Sequence, residues 1–144
     1  MKETGKVSGK KLLIIEDNQD SRELVIKILR NRDYQIIEAV DGEEGLEKAI
    51  AEQPDIILLD IALPKMGGYE VAKNLRLREE FKHTSIIALT AHAMKGDREK
   101  ALQAGFSGYI SKPINVHDLP EQIEYYAKKT LKGSSGGQGQ DPDC

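Results

Sequence analysis

The chain has no tryptophan, a single cysteine and no long hydrophobic run. The cysteine is the last residue, Cys144, so no internal disulfide can form and a reducing compartment is admissible. Apolar runs such as Leu12 to Ile15 and Ile56 to Leu59 fall far short of the roughly 20 residues that cross a bilayer. No amino-terminal stretch joins a basic start to a long apolar segment and a small-residue cleavage site, so membrane insertion is not expected and a cytoplasmic location is. Neither sign of charge dominates. The 24 acidic and 21 basic side chains leave a net charge of −3, which offers nucleic acid no broad basic surface.

With 144 residues and 39% hydrophobic content, the chain suits one core and one domain. Residues 132–144 read as a Gly/Ser-rich tail or linker, because beyond Gly133 no aliphatic or aromatic side chain is available to anchor them. Residues 1–9 look equally loose. The folded unit is therefore expected over residues 10–131.

Within that unit, short Ile-rich strand patterns alternate with helical ones. The strand patterns are KLLIIE (11–16), YQIIEA (34–39), DIILLD (55–60), SIIALT (85–90) and GYIS (108–111). Helical spacing predicts helices over 21–32, 42–52, 67–80, 95–104 and 116–130. In the first of these, Leu24, Val25, Ile28 and Leu29 form the apolar stripe and Arg22, Lys27 and Arg30 point elsewhere. Five βα units predict an α/β fold, a doubly wound five-stranded parallel sheet with helices on both faces. Its reactive crevice is expected at the carboxyl ends of the strands.

Acids stand at two of those ends. Asp60 closes the third strand pattern, and Glu16 and Asp17 close the first. A single acid at a strand end is as often a helix cap, and Asn18 or Asp20 suits that role before the first helix. Three converging carboxylates repel one another and call for a cation, and a hard divalent ion such as Mg²⁺ fits an all-oxygen set. Two more strand ends add Thr90 and Lys112 to the same rim. A hydroxyl and an ammonium facing a metal and a carboxylate make a phosphoryl site, with Asp60 as nucleophile in an acyl phosphate.

The motifs EDN (16–18), LLD (58–60), LPKMGGYE (63–70), ALTAHA (88–93) and GYISKPI (108–114) together make the chain resemble the receiver domains of two-component response regulators over about residues 11–130. That resemblance implies the flavodoxin-like strand order 2-1-3-4-5. It also implies phosphorylation of Asp60, metal binding by Glu16, Asp17, Asp60 and the Ala62 carbonyl, and contacts from Thr90 and Lys112 to the phosphoryl group. Glu16 stands where an aspartate is common, so it is expected to reach the metal through water. The Lys112–Pro113 bond matches a position that is usually cis. Thr90 and Tyr109 are implied to be a switch pair that reshapes the surface of the fourth helix, fifth strand and fifth helix.

Other residues are read more plainly. His92, two positions after Thr90, is taken as an ordinary loop histidine, and Gly67 and Gly68 as a backbone turn before the third helix. A flavin carrier needs a phosphate loop where EDNQD places carboxylates, and aspartyl phosphatases usually carry a second aspartate where Ala62 stands. The chain is thus expected to be a phosphoacceptor switch and not an enzyme with external turnover. Its implied partners are a sensor histidine kinase or phosphotransfer protein and a downstream protein. The alternative is the receiver of a hybrid histidine kinase, acting as a relay intermediate or phosphate sink.

Overall fold

A computed structural model describes residues 9–91 and 95–132. The expectations for the loose amino terminus, for the tail beyond residue 132 and for His92 fall outside the described residues. Five strands alternate with five helices: β1 (Lys11–Ile15), α1 (Gln19–Leu29), β2 (Gln35–Ala39), α2 (Gly42–Glu52), β3 (Ile56–Asp60), α3 (Gly68–Arg76), β4 (Ser85–Thr90), α4 (Lys95–Gln103), β5 (Gly108–Ser111) and α5 (Leu119–Lys132). The strands form one parallel sheet in the order β2-β1-β3-β4-β5.

Strand alternation sorts the core into two layers. Leu13, Ile15, Ile57, Leu59, Ile86 and Ala88 face Ala49, Val71, Leu75 and Ala101 on α2, α3 and α4. Leu12, Ile14, Ile56, Leu58, Ile87 and Leu89 face Val25 and Leu29 on α1 and Leu119, Ile123 and Tyr126 on α5. Because both faces are covered, β1, β3 and β4 read as continuous apolar runs. Gly108 in β5 permits close packing here: a Cβ at that position would run into the ring of the fully buried Tyr126.

Several local expectations are corrected. The first helix starts at Gln19, not Ser21, because the Asn18 side chain accepts the Ser21 N–H at 2.8 Å and caps it. It ends at Leu29, and Arg30–Arg32 tighten into a 3₁₀ turn that closes on Asp33 in the left-handed region. Leu24, expected inside the stripe, remains 37% exposed. The third helix stops at Arg76, short of residue 80, and a separate 3₁₀ turn follows over Glu79–Phe81. α5 begins at Leu119 and not at 116; in the turn before it the Asn115 side chain accepts the N–H groups of His117 and Asp118. Before α3, the left-handed residue is Lys65 (φ 65), and Gly67 is extended at φ −69. Gly68 serves close approach instead, because a Cβ there would lie 2.5 Å from the Asp60 carbonyl oxygen.

Candidate functional site

The carboxyl ends of β1, β3, β4 and β5 meet at one edge of the sheet. Parallel register sets Asp60 opposite Leu89, so Thr90 extends one residue further along β4 and pairs with Ser111. The Lys112 N–H then donates to the Thr90 carbonyl at 2.8 Å, which carries the lysine to the rim. The Lys112–Pro113 peptide is cis.

Asp60 and Glu16 are buried, at 5% and 1% exposure, and Asp17 is exposed. One carboxylate oxygen from each of Glu16, Asp17 and Asp60 lies within 4.8 Å of the other two. The Ala62 N–H donates to Asp60 Oδ1 at 2.9 Å, fixing the carboxylate against the turn that follows β3. Lys112 Nζ donates to Glu16 Oε1 at 2.9 Å and to Asp60 Oδ2 at 3.3 Å. The sequence-predicted acids, Thr90 and Lys112 are therefore brought to one edge, and Ala62 touches Asp60 through its N–H.

Electrostatics follow from this crowding. Burial pushes the Glu16 carboxyl above its ordinary range, the hydrogen bond from Lys112 pulls it back, and the neighbouring Asp60 pushes it up again. Burial alone lowers the Lys112 ammonium, but the hydrogen bond to Glu16 and the two negative charges outweigh it, and its net shift is upward. An all-oxygen, net negative cluster with one exposed member suits a hard divalent cation that retains water. The donor set therefore fits Mg²⁺.

Tyr109 lies on β5 opposite Ala88 and is 8% exposed, with the Arg98 guanidinium 5.9 Å from its ring centre. Its side chain belongs to the core layer beneath α4.

Sequence reasoning missed Arg22. Expected to point away from the core, it is only 13% exposed and donates to the Glu16 carbonyl at 2.9 Å while pairing with Glu38 at 3.0 Å. No local pattern marks this, because Glu38 lies on a different element and only the β1–β2 pairing brings it near.

Residues 12–124 match the response regulator receiver domain family. The chain belongs to that family. It is 43% identical over 117 residues to the polar-differentiation response regulator DivK of Brucella ovis, covering 81% of this chain and 95% of that protein. Among solved structures, it superposes on the chemotaxis response regulator CheY4 of Vibrio cholerae with a TM-score of 0.79 and 28% identity, over 83% of this chain and 99% of that one. It superposes comparably on the receiver domain of sensor histidine kinase PA1611 of Pseudomonas aeruginosa, with a TM-score of 0.77, 33% identity and coverage of 84% and 99%. The magnesium ion of that neighbour is coordinated in its active-site cleft. Among the described residues of this receiver, no helix is long and apolar enough to cross a membrane.

Proposed function

We propose that this receiver accepts a phosphoryl group on Asp60 from a phosphohistidine of a sensor histidine kinase or phosphotransfer protein, in the cytoplasm, and signals to a downstream protein. The observation that carries the reading is the buried Asp60 carboxylate held 3.3 Å from Lys112 Nζ within a cluster of three acids. An Asp60 oxygen attacks phosphorus, the O–P bond forms, and the P–N bond to imidazole breaks, with the departing imidazole taking up a proton. Glu16, Asp17, Asp60 and the Ala62 carbonyl would hold Mg²⁺, with Glu16 acting through water. Bound there, the ion supplies positive charge to the phosphoryl oxygens.

Lys112 neutralises a further phosphoryl oxygen, and the Thr90 hydroxyl donates to it. As Thr90 moves toward the phosphoryl group, Tyr109 follows, and the surface of α4, β5 and α5 changes shape. The domain assists its own phosphorylation and dephosphorylation without turning over an external substrate. The likeness to DivK, a response regulator, supports the regulator reading. A second reading, a relay or sink domain of a hybrid kinase, draws support from the likeness to the PA1611 receiver.

Incubation with acetyl phosphate and Mg²⁺ tests the nucleophile. One hydroxylamine-labile phosphoryl group should appear on the wild type and none on Asp60→Asn; undiminished labelling of the mutant would move the site elsewhere.

A further inference from the structure

We infer that Arg22 is a positioning residue for the metal site, holding the turn between β1 and α1 so that Asp17 meets Glu16 and Asp60. The inference rests on the Mg²⁺ reading above. Asp17 is exposed, and its carboxylate makes no hydrogen bond among the described residues, so the backbone alone keeps it within 4.8 Å of the other acids. That backbone is gripped on both sides of Glu16. The Glu16 N–H donates to the Ala39 carbonyl at 3.1 Å, and its own carbonyl accepts from Arg22 Nη1 at 2.9 Å. Rotation of the Glu16–Asp17 peptide would swing Asp17 away, and it would have to break the guanidinium contact.

Arg22 is itself held. Its Nε pairs with Glu38 Oε1 at 3.0 Å, and Lys48, paired with Glu44 at 3.0 Å, donates to the Glu38 carbonyl at 2.6 Å. A planar fork can span a carbonyl and a carboxylate together, which a lysine ammonium on a flexible stem does poorly. Outer partners that orient metal ligands in this way typically matter about 10- to 100-fold in metal affinity.

A role through charge alone predicts different signs. Removing the Arg22 cation would then tighten Mg²⁺, removing the Glu38 anion would weaken it, and Arg22→Lys would leave it unchanged. Positioning predicts that all three weaken it.

Calorimetric Mg²⁺ titration of the full chain separates the two. Arg22→Met and Arg22→Lys should each lose about tenfold in affinity, the low end of the range for such partners, and Glu38→Gln, one step further out, about threefold. In the metal-free protein, amide signals of Asp17 and Asn18 should shift and exchange faster in Arg22→Met, while those of Ile110 and Ile123 stay put. If Arg22→Met does not fold, Arg22→Lys decides the outcome, because Glu38→Gln weakens binding under either account. Tighter binding by Arg22→Met, or unchanged binding by Arg22→Lys, overturns the inference. Wild-type protein that binds no Mg²⁺ overturns it together with the metal reading, and that failure is distinguishable because it appears before any substitution is made.

Discussion

Lys112 Nζ lies 2.9 Å from Glu16 Oε1 and 3.3 Å from Asp60 Oδ2, so one ammonium bridges the carboxylates at the exits of β1 and β3. It serves the resting cluster as a built-in cation. Removing it leaves two buried carboxylates, at 1% and 6% side-chain exposure, facing each other without compensation.

Lys112→Ala should therefore lower stability without Mg²⁺ by about 1–3 kcal/mol. That is less than the full cost of orphaning a buried charge, because the lysine is 22% exposed. Saturating Mg²⁺ should restore most of the loss, while phosphorylation by acetyl phosphate remains slowed. Urea melts with and without Mg²⁺ check the first part. Equal destabilisation under both conditions would count against the compensating role.

Asp17→Ala should weaken Mg²⁺ binding and phosphorylation more than Glu16→Gln. Asp17 is the exposed acid and lacks a cationic partner among the described residues, whereas Glu16 is engaged by Lys112 and by the Asn18 N–H at 3.2 Å. Calorimetric titration of both variants decides it, and equal losses would reject this division of roles.

Tyr34 gives a pH signature. Burial pushes its phenol from 10.0 up to about 12, with the Glu124 charge adding to the rise and Arg32 opposing it. The folded state thus binds the proton more tightly than the unfolded state, and the contribution falls as pH rises from 10 to about 12. Tyr34→Phe should lose stability less steeply across that window. At neutral pH the substitution should be close to neutral, since the buried hydroxyl makes no hydrogen bond among the described residues. Denaturation midpoints at about pH 8, 10 and 11 test this, and parallel pH curves would contradict it.

Gly108→Ala should destabilise by about 1–3 kcal/mol, because the added methyl meets the Tyr126 ring in a filled layer. Tyr126→Leu combined with Gly108→Ala should recover part of the clash cost in a double-mutant cycle. Strictly additive losses would show that the two positions do not meet.

The switch is tested by beryllofluoride with Mg²⁺, which should shift amide signals of Thr90, Tyr109 and α4 more than those of α2. Thr90→Ala should keep Asp60 competent and blunt that shift. Changes confined to the strand ends would favour the relay reading.

By itself, the sequence determined the layers and the edge at which the acids stand. The apolar runs of β1, β3 and β4, and the acids or hydroxyl that close them, are local patterns. Right-handed crossovers convert such patterns into a parallel sheet with one common carboxyl edge. Tertiary structure alone decided which charges pair there. Lys112 reaches Glu16 across 96 residues, and Arg22 turns inward only because β2 lies beside β1 and presents Glu38. The left-handed residue before α3 is likewise Lys65, while Gly68 lies in close backbone packing against Asp60. Local periodicity records which face of an element is apolar, whereas the partner of a charge depends on sheet order and register, which no short stretch of sequence contains.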